Sequence, residues 1–165
     1  MGKTLQASTA EPERGRELYE QDEHEWVAAQ VSALADGALN RLDRANLIEY
    51  LTEKTIRDRR ELQSRLAVLL HHLLKVRVQP ERLTRSWIVT ILEQQSEIRS
   101  IMGSIPSLGR QAEILAAAAY PDALRRASRE TGLPAARFPN ASPWTVAEAL
   151  AFDPPEPPSG GESDP

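Results

Sequence analysis

The fold is decided by one stretch of the sequence, LQSRLAVLLHHLLKVRV, which covers residues 62–78. Its apolar residues recur at alternating steps of four and three, at Leu62, Leu66, Leu69, Leu73 and Val76. That spacing places them on one face of an α-helix, as a seam for packing against another helix. From residue 66 to residue 74 nearly every side chain except His71 and His72 is apolar. The stretch therefore predicts a helix that forms the centre of the core.

This helix is predicted to run from about residue 44 to residue 78, because no glycine or proline interrupts it. Asp43 is the expected N-cap, and Leu42 and Leu47 have the spacing of a hydrophobic staple across that cap. Residues 52–61 carry only one aliphatic side chain, so we expect this part of the helix to be exposed or bent.

A first helix is predicted before it, from about residue 15 to Asp36. Its apolar side consists of Tyr19, Trp26, Val27, Val31 and Leu34. Gly37 follows and suits the left-handed position after a helix end.

More helices are predicted after residue 80. A third begins at a cap, Thr84 or Ser86, and extends to about Met102. A fourth helical region covers residues 107–131, with a kink expected at Pro121 because proline removes a backbone hydrogen bond. A short helix follows from a cap at Ser142 to about residue 151.

Together these elements predict an all-α fold, an antiparallel helical bundle of four main helices plus a short C-terminal helix. The 165 residues fit one domain, which we place at residues 15–152. Residues 1–14 are expected to form a mobile N-terminal arm. Residues 153–165, DPPEPPSGGESDP, are expected to form a disordered, acidic, proline-rich tail.

The composition excludes several functional classes. There is no cysteine, which rules out disulfides, thiol nucleophiles, zinc fingers and iron–sulfur clusters. The three histidines lack metal-binding spacing, and glycine-rich phosphate loops and nucleophile elbows are missing, so we expect no metal and no cofactor. Residues 1–10 lack the apolar core of a secretory signal, and the longest apolar run, residues 114–120, is too short for a membrane span. We therefore expect a cytoplasmic protein that does not enter a membrane.

Charge is unevenly distributed along the chain, whose net charge is −4. Residues 11–53 hold eleven acids and four bases, a local −7, whereas residues 57–85 hold eight bases and three acids, a local +5. The basic segment lacks the interleaved aromatics of single-strand binders, and the sequence pI of about 5.5 is low for a duplex binder. These features argue against a nucleic-acid partner and leave a small anionic ligand open.

One polar constellation remains as a candidate site on the second and third helices. Its members are Arg65, His72, Lys75, Gln79, Ser86, Thr90 and Glu93. In an antiparallel hairpin that turns near residue 82, His72 and Lys75 lie opposite Thr90 and Glu93. We therefore predict that the Glu93 carboxylate contacts His72, Lys75 or Arg65. The constellation is either an interhelical network that fixes register or a groove for an anionic ligand or an acidic partner segment.

The run LLHHLLKVRVQPERLTRSWIVTILEQQSEI, residues 69–98, resembles the signature of the bacterial family catalogued as domain of unknown function 29. The matching pattern is His-Leu-Leu-Lys, then Gln-Pro, Ser-Trp, Thr-Ile and Glu-Gln. The resemblance extends from about Tyr19 to about Leu150. It implies an all-helical bundle and names no activity, substrate, cofactor or partner.

Three functional hypotheses follow. The leading one is a non-enzymatic module that binds a protein partner or forms a homo-oligomer, because a helix of roughly 50 Å overhangs a small bundle. The second is an anionic-ligand or nucleic-acid binder that uses residues 57–85. The third is an enzyme with His72 and Glu93 as its acid and base.

Overall fold

The structure is a computed structural model that describes residues 17–157. The predicted arm at residues 1–14 and the last eight residues of the predicted tail lie outside the described residues. No described residue lies in a β-strand. The helices, in chain order, are α1 (Glu23–Ala35), α2 (Arg44–Val78), α3 (Arg85–Ser104), α4 (Pro106–Gly109), α5 (Ala112–Thr131) and α6 (Val146–Ala151). The prediction of an all-α fold with four main helices and a short C-terminal helix is confirmed.

Contacts divide the chain into two compact units, Met1–Arg57 and Asp58–Pro165. Helix α1 belongs to the first unit, α3 to α6 belong to the second, and α2 begins in the first and ends in the second. The single domain expected over residues 15–152 stays a prediction.

In the first unit, α1 begins later than the sequence suggested. Residues 17–21 are helical, but Asp22 is extended and its side chain accepts a hydrogen bond from the Glu25 amide at 3.0 Å. Asp22 therefore caps α1 and interrupts the helix predicted from residue 15. The apolar side predicted for this helix is also wrong in part, because Val31 and Leu34 are exposed.

The start of α2 is fixed by Asp43, as predicted. Its carboxylate accepts a hydrogen bond from the Asn46 amide at 3.3 Å. Its own backbone N–H donates to Oε1 of the buried Gln30 at 2.8 Å, which joins this loop to α1. Trp26 of α1 is fully buried and contacts the ring of Tyr50 at a centroid distance of 5.5 Å.

In the second unit, α2 forms the centre of the core. Leu62, Leu66 and Leu69 are fully buried there, and the predicted bounds of the helix are the observed ones. Residues 52–61 stay helical and are nearly all exposed, as expected.

Helix α3 runs antiparallel to α2, and α5 runs parallel to it. Arg65 contacts Glu97, and Lys75 contacts Trp87, so both pairs are symmetric about residue 81, close to the predicted turn. Lys75 at the C-terminal end of α2 contacts Glu130, which lies at the same end of α5. Three helices therefore alternate in direction around the buried leucines.

The fourth predicted helix is in fact two helices. Helix α4 ends at Gly109, and a turn at residues 110–111 separates it from α5. Pro121 lies inside α5 without ending it, and the bend expected there stays a prediction. Gly132 ends α5 with a φ of 71°, the left-handed conformation that glycine adopts without steric cost.

The N-cap of α6 is Thr145, not the predicted Ser142. Thr145 and Glu148 form a reciprocal capping box, whereas the Ser142 hydroxyl accepts a hydrogen bond from the Trp144 amide in the preceding turn. The C-terminal end of α6 is held by Gln95 of α3, whose Nε2 donates to the carbonyl oxygens of Ala149 and Phe152.

Candidate functional site

Lys75 is the centre of the polar cluster that the structure forms. Only 6% of this residue is exposed. Its Nζ donates a hydrogen bond to Oε2 of Glu130 at 2.7 Å and lies 3.9 Å from the centroid of the Trp87 ring. A buried ammonium requires a counter-charge, and the ring face adds a cation–π contact. Lys75 therefore joins α2 to both α3 and α5.

The predicted contact of Glu93 with a base of α2 is wrong. Glu93 is exposed, and its side chain forms no ion pair or hydrogen bond with another described residue. The carboxylate that pairs with Lys75 is Glu130, since α5 as well as α3 packs beside this part of α2. Helix α3 supplies the aromatic ring of Trp87 instead.

Arg65 does find a partner across the predicted hairpin. Its guanidinium contacts Glu61 of its own helix at 3.0 Å and Glu97 of α3 at 3.4 Å. Both glutamate side chains are half exposed, so water screens these pairs and each contributes little to stability.

The other predicted site residues make separate contacts. His72 Nδ1 lies 2.9 Å from the Val68 carbonyl oxygen, which can only accept, so Nδ1 carries the hydrogen. Gln79 Nε2 donates to the carbonyl oxygen of Thr131 at 3.5 Å, near the end of α5. The Thr90 hydroxyl donates to the carbonyl oxygen of Ser86 one turn earlier. The predicted site residues of α2 and α3 therefore do not form one network with each other.

His71 belongs to the Lys75 cluster, whereas the neighbouring His72 was predicted there. His71 is 5% exposed, and its Nε2 lies 3.1 Å from Glu130 Oε2 without the geometry of a hydrogen bond. Burial, followed by the neighbouring His72, lowers the pKa of His71 to about 4 against the weaker opposing effect of Glu130. His71 is therefore a neutral imidazole at pH 7.

Glu130 carries the negative charge of the cluster. Burial raises the pKa of its carboxyl, but the hydrogen bond from Lys75 and the nearby His71 together outweigh burial and leave the pKa below its usual range. The pKa of His72 is lowered as well, because burial and the charge of Lys75 disfavour the protonated imidazole despite the hydrogen bond to Val68. The cluster thus contains one ion pair and two neutral imidazoles.

Glu130 was missed because its signal is not local. It lies three residues after the buried Ala127 and one before the buried Thr131, at the edge of the inward face of α5. The need of the buried Lys75 for a counter-charge was the available signal, since it applies to acids on every helix and not only to those on α3.

The geometry limits what this cluster can do chemically. Lys75 and His71 are almost fully buried, so a substrate has little access to them. The acid–base pair proposed from His72 and Glu93 is not formed. Within residues 17–157, no three acidic or histidine side chains converge on a point that could hold a metal ion.

Several bases of the segment 57–85 contact other side chains of the same chain. Lys75 and Arg65 are in ion pairs, and the Arg77 guanidinium lies 6.0 Å from the centroid of the Trp144 ring. The segment therefore does not present all of its bases to a ligand. In the part of the chain that the structure describes, no helix combines the length and the apolar content that a membrane crossing needs.

The family model described as "Domain of unknown function DUF29" matches residues 18–153. No curated protein and no solved structure matches the chain. The match confirms the resemblance noted at residues 69–98.

Proposed function

We propose that this chain, which belongs to the family described as domain of unknown function DUF29, is a self-associating helical module. The description of the family states no activity. The docking surface of the module lies on the first unit, between Glu23 and Arg57, and the occupant of that surface is a second copy of the chain.

The proposal rests on the apolar surface of the first unit. Among residues 17–57, only Trp26 and Ala33 are buried apolar residues. Six large apolar side chains are at least 42% exposed, namely Val31, Leu34, Leu39, Ile48, Leu51 and Ile56. Side chains at the apolar positions of amphipathic helices are usually covered, so this exposure supports a partner.

Burial of these side chains can offset the free-energy cost of association. A half-exposed leucine or isoleucine gains roughly 1 kcal/mol when the remaining surface is buried. Six such side chains on each of two copies supply a gain comparable to the cost of association. Two helical hairpins that pack in this way form a four-helix arrangement, which is a common way to close an apolar face.

Charge favours a second copy over an unrelated partner. Residues 17–36 contain six acids and no lysine or arginine, while Arg41 follows in the turn before α2 and Arg44 is the first residue of α2. None of these charges forms an ion pair with another described residue. In a two-fold contact the acids of each copy face the bases of the other, so a single surface supplies both charges of every ion pair.

The test is the mass in solution of the full chain and of three aspartate variants. Light scattering coupled to size exclusion is expected to give a dimer for the unchanged chain and a monomer for Val31→Asp and Leu34→Asp. The matched control is Val89→Asp, because Val89 is also an exposed valine within a helix, 52% exposed against 59% for Val31, but lies in the second unit. Val89→Asp should remain a dimer.

Two outcomes would overturn the proposal. One is a dimer that Val89→Asp dissociates as readily as Val31→Asp. The other is a monomeric unchanged chain whose melting temperature falls on Val31→Asp, which would mean that another part of the same chain covers the surface.

A further inference from the structure

A groove lies between α2 and α5 in the second unit, away from the Lys75 cluster. Its volume is about 350 Å³, within the range of small-molecule sites. The floor is built from alanines, including the buried Ala67 and Ala119, whose small side chains leave the space open. Arg60 and Ser64 line one wall, and Arg126 lines the other.

The groove carries excess positive charge. Arg60 is exposed and forms no ion pair with another described residue. Asp122 is the one acid among the lining residues, and its two oxygens accept hydrogen bonds from Arg125 at 2.5 Å and pair with Arg126 at 2.7 Å. The hydrogen bond from Arg125, with further help from Arg126, holds the pKa of Asp122 below its usual range despite partial burial. Arg125 and Arg126 therefore share one carboxylate, and Arg60 has no acidic partner among the described residues, in a chain whose net charge is negative.

Asp122 also has a positioning effect. By pairing with one Nη of Arg126, it fixes the position of this side chain beside the groove and leaves the other guanidinium N–H groups available. On the opposite wall, the Ser64 hydroxyl lies one helical turn from Arg60, and the Gln63 amide lies beside it. The groove thus offers hydrogen-bond donors from both walls above an apolar floor.

We propose that this groove binds a small molecule through its phosphate group. A phosphate dianion has several acceptor oxygens in a tetrahedral arrangement and can take charge-assisted hydrogen bonds from two arginines at once. The volume leaves room for the rest of a small molecule, which contacts the alanine floor. This binding does not depend on self-association, because none of the groove residues belongs to the first unit.

Isothermal titration with inorganic pyrophosphate tests the proposal on the full chain. We expect saturable binding of one pyrophosphate per chain, weakened about tenfold or more by Arg60→Gln and by Arg126→Gln, since each change removes a charged hydrogen-bond donor. The matched control is Arg59→Gln, an exposed neighbour that does not line the groove, which should change the affinity less than about twofold. Val31→Asp should bind pyrophosphate as the unchanged chain does.

Three results would overturn the proposal. The first is the absence of saturable heat with pyrophosphate at constant ionic strength. The second is an equal loss for Arg59→Gln and Arg60→Gln, which would indicate unspecific attraction to surface charge. The third is tighter binding of a single-stranded oligonucleotide that also depends on Arg59, which would indicate an extended nucleic-acid surface instead.

Discussion

Lys75 and Glu130 show how one buried charge organises three helices. The lysine lies within a leucine-rich segment and is 6% exposed, yet its ammonium has both a carboxylate and an aromatic face as neighbours. A buried charge with this pairing costs little, whereas the same charge without its partner is strongly unfavourable. The pair therefore fixes how α2 and α5 align more than it adds net stability.

Glu130→Gln is expected to lower the free energy of unfolding by roughly 1–3 kcal/mol, because it leaves the ammonium of Lys75 without its counter-charge. Glu93→Gln removes the same charge from an exposed side chain that has no partner. It should change the free energy of unfolding by less than about 0.5 kcal/mol. Urea unfolding of both variants measures the difference. Equal changes in the two variants would mean that Glu130 does not stabilise the fold through its ion pair with Lys75.

His71 makes stability depend on pH. Its pKa is about 4 in the folded chain and near 6.5 when exposed, so the unfolded chain binds more protons between these values. The free energy of unfolding should therefore fall as pH decreases from about 6.5 to 4, by roughly 2–3 kcal/mol from this group. Glu130 and His72, whose pKa values are also lowered, act in the same direction.

His71→Leu should flatten this dependence, while His24→Gln, a change at an exposed histidine of α1, should leave it as it is. Thermal unfolding between pH 4 and pH 7 gives the comparison. A slope in His71→Leu as steep as in the unchanged chain would assign the acid sensitivity to other groups.

At the scale of elements, Gln95 attaches the short helix α6 to α3. Gln95 is 3% exposed, and its amide donates to Ala149 O at 3.0 Å and to Phe152 O at 2.7 Å. These carbonyls are at the end of α6, where no intrahelical donor reaches them. Arg99 donates to the Leu150 carbonyl beside them. Two side chains of α3 thus cap α6 from outside.

Gln95→Leu should therefore release α6 before the rest of the chain unfolds. Amides of α6 are expected to lose protection in hydrogen exchange by about tenfold or more, since the buried carbonyls lose their donors. Amides in the buried part of α2 should keep theirs. The control is Gln94→Leu, at the preceding glutamine, whose side chain makes no hydrogen bond with another described residue. Uniform loss of protection across all helices would contradict a local role.

The sequence predicted elements well where the signals are local. The bounds of α2 follow from an uninterrupted run and the Asp43 cap, and both are confirmed. The break at Asp22 was missed because an aspartate inside a helical pattern looks the same whether its side chain caps the backbone or points to water. Ser142 and Thr145 are both acceptable caps, and only the reciprocal bond with Glu148 selects Thr145.

The candidate site was harder to predict because it depends on which helices are neighbours. Helix spacing placed Arg65, His72 and Lys75 on one face of α2, but each of them has different partners in the structure, and the contact of Arg65 with Glu97 was not predicted. The register could not reveal that α5 also lies beside Lys75, so Glu93 was named in place of Glu130. Partners separated by 55 residues leave no local pattern.

At the scale of the whole molecule, apolar burial differs sharply between the two units. The second unit has a continuous core that includes Leu66, Leu69 and Ile98, whereas the first buries only Trp26 and Ala33 among its described apolar residues. The sequence predicted a buried apolar side for α1 that includes Val31 and Leu34. The chain thus encodes an apolar face there that its own described residues do not cover, which is the observation behind the proposed self-association.

Salt should weaken this association. If the acids of residues 17–36 face Arg41 and Arg44 of the other copy, added salt screens that attraction, while the apolar contact persists. The dissociation constant is therefore expected to rise with sodium chloride concentration, and Arg44→Ala should reduce the salt dependence. Sedimentation velocity at several salt concentrations measures both. A dissociation constant that salt leaves unchanged would remove the charge argument for a second copy.

Sedimentation equilibrium of the unmodified full chain over a wide concentration range tests the central claim most directly. We expect a reversible approach to twice the chain mass of 18.3 kDa, with no higher species, because a two-fold contact closes on itself. A mass that stays at 18.3 kDa at every concentration would contradict it.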